Sequence, residues 1–235
     1  MKIFIKTWIH QWKELLNERN FRISLYVGIG LLLLAMVINY QAVLYTSNVP
    51  VLSVGDLILD NIPTKDLLFM YTYGIFIVVG ITALYPFIFR PNLVPFTMKT
   101  IAAFIMIRAF FISLTHIGAP ENFFRLPQMD DQPGLFKLFY LNDLFFSGHT
   151  GFPFLSALLF WENKILRYFL IAMSVAQANT VLFMHVHYSI DVFSAYFITY
   201  TIYTVSDKIF NKLNFSFREI AHRVKDRIWF SANSH

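Results

Sequence analysis

The sequence predicts an all-α membrane protein, a bundle of six transmembrane helices with both termini on the cytoplasmic side. Its 235 residues are 57% hydrophobic and only 14% charged, whereas a soluble domain carries about 25% charged residues. Long apolar runs recur along the chain, each near the roughly 20 residues that a helix needs to cross a bilayer. No Gly/Ser-rich linker or internal repeat divides them, so we expect one compact bundle.

The charge and hydropathy pattern divides the chain into three segments. Residues 1–22 carry Lys and Arg among apolar residues at helical spacing, which predicts an amphipathic helix on the membrane surface. Residues 23–207 are the predicted six-helix core, and residues 208–235 are a basic cytoplasmic tail that we expect to hold another interfacial helix. The predicted spans are residues 25–46, 67–89, 97–116, 144–161, 165–184 and 190–206.

The distribution of Lys and Arg predicts the orientation, because positively charged loops stay on the cytoplasmic side. With both termini inside, fifteen of the nineteen Lys and Arg fall on that side and three on the outer side. These cations flank apolar spans, which favours contact with anionic lipid over binding of nucleic acid. We expect a multi-pass protein of the bacterial inner membrane, with its site on the periplasmic or exoplasmic side.

Two loops lie on the predicted outer side. Residues 47–66 mix apolar residues with Gly, Pro and Asp, which indicates either a solvated loop or a rim that admits a lipid headgroup. Residues 117–142 form the longest predicted loop, and this loop is polar. A loop of this length over a site often acts as a lid or binding element.

Ionisable residues between two apolar runs mark the first candidate site. If a helix begins near His187, Asp191 lies one turn along on the same face, so its carboxylate reaches one imidazole nitrogen and leaves the other free. That geometry suits an oriented base or nucleophile. His185 and His187 on an extended backbone also suit zinc, but the chain has no Cys and the Asp191 spacing favours an orienting carboxylate. We therefore expect no metal and no cofactor.

Further candidates lie in and near the third and fourth predicted spans. Arg108 sits among apolar residues, where a charge costs about 2.5 to 3.5 kcal/mol unless it meets a partner; that partner is either an acidic side chain or a phosphate. Gly148 lets the backbone approach a ligand, and the Ser147 hydroxyl can bond a phosphate oxygen. His149 follows directly, and Asp143 lies where it could pair with a histidine or a cationic headgroup.

Two histidines, one carboxylate and one arginine suit phosphate-ester exchange without a metal. One imidazole attacks phosphorus, the carboxylate stabilises the cation formed, the other imidazole protonates the leaving oxygen, and the arginine balances the negative charge. Water as acceptor of the phosphohistidine gives a phosphatase, and a lipid alcohol gives a transferase. A lipid transporter or scramblase, which binds lipid without cleaving it, is the third interpretation.

The residues of these candidate sites resemble known motifs. Ser147-Gly148-His149 and His187-x-x-x-Asp191 are similar to the last two motifs of the type 2 phosphatidic acid phosphatase (PAP2) superfamily. The likeness is closer to its sphingomyelin synthase branch, since residues 143–150 resemble that branch's third motif, residues 185–192 its fourth and Arg108 its second. This resemblance implies His187 as nucleophile, Asp191 as its partner and His149 as general acid.

The resemblance also implies a reaction and its lipid substrates. A phosphocholine- or phosphoethanolamine-type headgroup would pass from a glycerophospholipid to a lipid alcohol such as ceramide, with a lipid phosphate phosphatase or phospholipase C-type hydrolase as the alternative. Val181 stands where the broader family has an arginine, which favours the synthase branch. Leu141-Asn142 replaces that branch's Cys-Gly, and Ser53-Val54-Gly55 replaces its Pro-rich first motif. The candidate substrate- or phosphate-binding residues are Arg108, Asp143, Ser147, Gly148, His185 and Tyr188.

Overall fold

A computed structural model describes residues 2–124 and 144–233, and there it confirms the all-α prediction, with a single isolated bridge between Leu52 and Ile117. A π-helix, Met70–Gly74, runs directly into the third α-helix, and short 3₁₀ turns cover Leu59–Asn61 and Pro91–Leu93. In chain order the α-helices of the described part are α1 Lys2–Asn17, α2 Arg19–Ser47, α3 Ile75–Phe89, α4 Val94–Leu114, α5 Gly148–Leu159, α6 Lys164–Phe183 and α7 Ser189–Asn233.

Four helical segments of the described chain are long and apolar enough to cross a membrane, and they coincide with predicted spans one, two, three and five. They are Arg19–Ser47, Met70–Phe89, Pro91–Leu114 and Lys164–Phe183. At the fourth predicted span, α5 has only 12 residues, about 18 Å at 1.5 Å per residue. That is shorter than the roughly 30 Å hydrocarbon core, so the count of six spans stays a prediction.

Two predicted boundaries differ from the helices observed. The sixth span and the tail form one helix, because α7 runs unbroken for 45 residues, about 68 Å, through residue 207. At the other end of the chain, α1 ends at Asn17 and Glu18 has extended backbone. Arg22 stabilises this break by donating to the carbonyl oxygens of Leu16 and Asn17, at 2.6 and 2.8 Å. Helix α1 is therefore shorter than residues 1–22, and its location on the membrane surface stays a prediction.

The loops gather at two opposite ends of the bundle. At one end, the indole N–H groups of Trp8 and Trp12 donate to the Phe87 carbonyl oxygen at 2.9 and 3.2 Å, so α1 lies against the end of α3. Arg218 of α7 pairs there with Glu162, between α5 and α6, at 2.7 Å. This is the predicted cytoplasmic end, and the first predicted outer loop and residues 117–124 of the second meet the start of α7 at the other end.

Small residues bring α5 close to its neighbours. A Cβ on Gly151 of α5 would lie 2.8 Å from Thr199 Oγ1 of α7 and 3.1 Å from the Phe104 ring of α4. Close backbone approach of this kind is typical of helix packing in membranes. The apolar core around α5 includes Val78, Phe96, Phe104, Phe146, Leu155, Leu170 and Ala195. Helix α5 is therefore central, and its N-terminus is fixed between α4 and α7.

Candidate active site

The short connection between α6 and α7 holds His187 in one orientation. The residue is only 4% exposed. Its Nδ1 lies 3.0 Å from the Leu144 carbonyl oxygen and 3.5 Å from Asp191 Oδ2. Because a carbonyl oxygen can only accept, Nδ1 donates its proton to it, and in the neutral form of the ring the lone pair lies on Nε2. The predicted approach of Asp191 is found. The Leu144 carbonyl was missed, because no side-chain type marks a backbone acceptor.

Asp191 is fully buried and fixes the start of α7 as well as facing His187. Its Oδ2 accepts the backbone N–H of Tyr188 at 2.9 Å, which is the contact that the third helical residue makes in a capping box. Its Oδ1 is buried without a hydrogen-bond partner among the described residues. The carboxylate thus places a negative charge beside His187, where it can stabilise a cationic ring.

The start of α5 is tied to the start of α7 through Ser147. Its Oγ accepts from the backbone N–H and the hydroxyl of Thr150, at 3.4 and 3.2 Å, so Ser147 is the N-cap of α5. Its own backbone N–H donates to the Asp191 carbonyl oxygen at 3.1 Å. Ser147 has no exposed surface, so the structure places its hydroxyl in the cap, and its predicted contact with phosphate stays a prediction.

His149 and Arg108 complete a group with His187 and Asp191, which we call the histidine cluster. The His149 imidazole stacks on the Tyr71 ring, with centroids 4.0 Å apart and planes at 18°. His187 and Arg108 both lie close enough to His149 to interact with it electrostatically, so the three side chains are neighbours. Arg108 Nε donates to the Phe146 carbonyl oxygen at 2.9 Å. The arrangement places the Arg108 guanidinium beside the first turn of α5, and a cation next to a helix N-terminus suits the oxygens of a phosphate group.

Gly148 lets Arg108 approach the α5 backbone. A Cβ built on Gly148 would lie 3.2 Å from Arg108 Nε and 3.4 Å from its Cζ, distances tighter than ordinary van der Waals contact. The sequence predicted that Gly148 allows close approach of a ligand. In the structure Gly148 instead accommodates the Arg108 guanidinium, which we expect to bind that ligand.

Tyr188 connects the loops around the site. Its hydroxyl donates to the Gly118 carbonyl oxygen at 2.9 Å and accepts the Val54 N–H at 3.1 Å. Burial raises the pKa of the Tyr188 phenol, and the Val54 hydrogen bond opposes that rise only in part. The phenol is therefore neutral at physiological pH, and it holds the first predicted outer loop and the start of the second against the N-terminus of α7. Its predicted role in substrate binding stays a prediction.

His185 lies two residues before His187 and has an unusual backbone conformation. Its φ is +51°, in the left-handed region that side chains other than glycine rarely adopt. Its Nδ1 lies 3.2 Å from the Glu121 carbonyl oxygen and 3.5 Å from Thr64 Oγ1. These contacts join the first outer loop, the start of the second and the α6–α7 connection.

The same three segments line an open cavity of about 430 Å³. His185 and Tyr188 line it, whereas His149 and His187 do not. Its other lining residues are Val54, Asp56, Leu59, Asp60, Ile62, Pro63, Thr64, Pro120, Glu121 and Asn122. The cavity is therefore rich in carboxylates. It lies beside the histidine cluster, because His185 and Tyr188 line it and His187 stands between them in the chain.

Asp56 anchors the first outer loop to α7. Its Oδ2 accepts the Ser189 N–H at 2.7 Å, and its Oδ1 accepts the N–H groups of Ile58 and Leu59 at 2.9 and 3.1 Å. Burial alone would raise the pKa of Asp56, but these hydrogen bonds hold it below the usual carboxyl value. A charged carboxylate at the N-terminus of α7 is also favoured by the helix dipole.

Asp143 lies outside the described residues, so its predicted role stays a prediction. The described structure groups the remaining candidates around two helix starts, α5 and α7. Within the described residues, no three His, Asp or Glu side chains are grouped so as to hold a metal ion.

Comparison with known families connects this geometry to a chemistry. The family model described as PAP2 superfamily C-terminal matches residues 142–208, a range that includes His149, His187 and Asp191. Residues 142–208 are therefore similar to the C-terminal part of the PAP2 superfamily, which comprises phosphatases and phosphotransferases. No curated protein and no solved structure matches the chain significantly. The sphingomyelin synthase branch stays a prediction.

Proposed function

We propose that the protein is a membrane lipid phosphotransferase of the sphingomyelin synthase type. It moves a phosphocholine- or phosphoethanolamine-type headgroup from a glycerophospholipid to a lipid alcohol such as ceramide. The observation that carries this proposal is the fixed ring of His187, held at Nδ1 by the Leu144 carbonyl oxygen at 3.0 Å and facing Asp191 at 3.5 Å. The match to the PAP2 superfamily supports the same class of chemistry.

In the first half-reaction, Nε2 of His187 attacks phosphorus and the bond between phosphorus and the glycerol oxygen breaks. His149 enters this step as an imidazolium and donates its proton to that oxygen, so diacylglycerol leaves as a neutral alcohol and His149 becomes neutral. The headgroup is then held as a phosphohistidine whose cationic ring lies beside Asp191. Arg108 and the first turn of α5 balance the charge on the phosphate oxygens.

In the second half-reaction, the acceptor hydroxyl gives its proton to His149 and its oxygen attacks phosphorus. The bond between phosphorus and Nε2 breaks, which returns His187 to its neutral form. Water in place of the lipid alcohol would release a water-soluble phospho-alcohol or phosphate. That hydrolase is the alternative function of the same site.

Two observations favour transfer of a cationic headgroup over hydrolysis of a phosphate monoester. Val181, where the resemblance places the arginine of the broader family, is fully buried in an apolar cluster with Met184 and Val186. The cavity beside His187 carries the side chains of Asp60 and Glu121, which attract a headgroup ammonium and repel a doubly charged phosphate.

The test uses the purified protein in lipid nanodiscs with headgroup-labelled phospholipid, with and without ceramide. We expect label in a new ceramide-based lipid when ceramide is present. Label in a water-soluble product in both samples would support the hydrolase instead. Intact phospholipid in both samples would count against both enzymes and favour a lipid transporter.

A histidine pair provides the matched variants. We expect His187→Ala to lower turnover by at least about 10³-fold, because it removes the nucleophile. His116→Ala serves as control, since His116 lies at the same end of the bundle but contacts Tyr45, at 3.1 Å, and not the cluster. Full turnover by His187→Ala would overturn the proposed mechanism.

We also propose that the site faces the periplasmic side of a bacterial inner membrane. The distribution of Lys and Arg supports this orientation. The end of the bundle that holds Arg90, Glu162 and Arg218 lies opposite the histidine cluster, in agreement with a cytoplasmic location for those arginines.

A further inference from the structure

The helix that leads into α3 is locally widened by a contact from α6. Met70–Gly74 is a π-helix, and the fully buried Gln177 of α6 donates its Nε2 to the Met70 carbonyl oxygen at 2.9 Å. Gly74 makes space for this amide, since a Cβ there would collide with Gln177 Nε2. A π-turn therefore forms where another helix inserts a polar side chain into an apolar segment.

The π-turn decides where Tyr71 points. Each residue of an α-helix turns the chain by about 100°, and a π-turn adds one residue to the turn. Without it, Tyr71 would be rotated by roughly that angle relative to α3. With it, the Tyr71 ring lies under His149 at a centroid distance of 4.0 Å and is itself 6% exposed. Val181 and Val192 belong to the apolar cluster that packs around it.

We propose that Tyr71 is a positioning residue for the general acid, and that Gln177 sets its position through the π-turn. The stack contacts the face of the His149 ring and leaves its two nitrogens, at the ring edge, available for proton transfer. It thereby fixes the plane in which the proton is delivered to the leaving oxygen. This inference rests on the proposed function, because it assigns His149 the transfer of that proton.

The test compares Tyr71→Leu with Tyr71→Phe on two substrates. With a natural phospholipid, whose leaving alkoxide needs a proton, we expect Tyr71→Leu to lower kcat by about 10- to 100-fold with little change in KM. With p-nitrophenyl phosphocholine, the leaving phenolate departs without a proton, so the burst of phenolate from the first half-reaction, measured before the acceptor step, should slow by less than about threefold. Tyr71→Phe keeps the aromatic face and should recover most of the phospholipid activity.

Variants of the π-turn test the second part of the inference. Gln177→Ala removes the bond to the Met70 carbonyl oxygen, and Gly74→Ala displaces the amide, so both should show the same leaving-group-dependent loss as Tyr71→Leu. Gly80→Ala is the matched control in α3, because a Cβ on Gly80 meets nothing within 4 Å. Equal losses on both substrates would indicate general misfolding and overturn the positioning role.

A measurement that needs no turnover separates this inference from the proposed function. Diethyl pyrocarbonate modifies accessible imidazoles, and mass spectrometry gives the rate at His149 relative to His116. Removal of the stacked ring in Tyr71→Leu should raise that ratio several-fold, and Tyr71→Phe should not. An unchanged ratio would overturn the inference even in an active enzyme. If the wild-type protein turns over neither substrate but Tyr71→Leu still raises the modification ratio as expected, only the proposed function is overturned.

Discussion

Residues at the candidate active site pack so closely that one added methyl group should alter catalysis. Arg108 Nε already donates to the Phe146 carbonyl oxygen at 2.9 Å, and its guanidinium lies against Gly148. In Gly148→Ala, the new Cβ would lie 3.2 Å from Nε, so the guanidinium must shift by a few tenths of an ångström. We expect a loss of about tenfold in kcat for headgroup transfer, because a small misplacement of a charge-balancing group weakens the transition state.

The control for Gly148→Ala is Gly80→Ala, where the added methyl group meets open space. Both variants replace a helical glycine by alanine, and that replacement alone stabilises a helix by up to about 1 kcal/mol. Thermal unfolding in detergent and turnover should be measured for both. An active Gly148→Ala enzyme with wild-type kcat would show that the contact between Gly148 and Arg108 does not position a catalytic charge.

At this scale, the sequence could predict pairs set by helical spacing and could not predict contacts made by distant backbone. The spacing of His187 and Asp191 predicted their approach, which the structure shows at 3.5 Å. The Leu144 carbonyl oxygen lies 43 residues from His187 in the chain, and no residue type marks it. Gln177 did carry a signal, since a polar amide inside an apolar span needs a partner there.

At the scale of helices and loops, Asp56 joins the first outer loop to α7, and this joint should depend on pH. Hydrogen bonds hold the pKa of Asp56 below its usual value in the folded protein. Its contribution to stability is therefore fully present above the unfolded value of about 4 and is lost as the pH falls through the lower folded value. We expect Asp56→Asn to lower stability at neutral pH by about 1 to 3 kcal/mol.

Thermal unfolding of wild type and Asp56→Asn in detergent, followed from pH 7 toward acid, measures this effect. The difference in Tm should be largest at neutral pH and shrink as Asp56 of the wild type is protonated. Asp60→Asn is the matched control, because Asp60 is exposed in the same loop. A Tm difference for Asp56→Asn that does not change with pH would show that its charge does not anchor the loop.

Element lengths could be predicted where hydropathy alone decides them. Four predicted spans coincide with membrane-length helices. The continuity of α7 also had a signal, since residues 190–233 contain neither Gly nor Pro, the residues that end helices. The π-turn at Met70–Gly74 had no local signal, because it depends on Gln177 from another helix. Tertiary contacts of that kind are invisible to a pattern read along one segment.

At the scale of the whole molecule, the short α5 is explained by its surroundings. Leu155, Ser156 and Ala157 are fully buried, as expected for a helix enclosed by other helices rather than by lipid. Helix α5 therefore links the histidine cluster to the opposite end of the bundle without needing the full length of a lipid-facing span. At that opposite end, Glu162 contacts Arg90 at 3.2 Å and Arg218 at 2.7 Å, which joins α3 and α7 to the α5–α6 connection.

This architecture makes a prediction about which end of the bundle meets which side of the membrane. The chain contains no cysteine, so single cysteines can be introduced without competing thiols. Ser53→Cys lies in the first outer loop and Lys164→Cys at the start of α6, and both positions are exposed. A membrane-impermeant maleimide should label Ser53→Cys in intact bacterial spheroplasts and Lys164→Cys only after the membrane is broken.

The reason is that the two positions lie at opposite ends of one packed bundle, and the Lys and Arg distribution assigns the Lys164 end to the cytoplasm. A permeant maleimide provides the control, since it should label both cysteines in intact spheroplasts. Labelling of Lys164→Cys alone by the impermeant reagent would invert the orientation. The histidine cluster would then face the cytoplasm, and its donor and acceptor lipids would have to come from the inner leaflet.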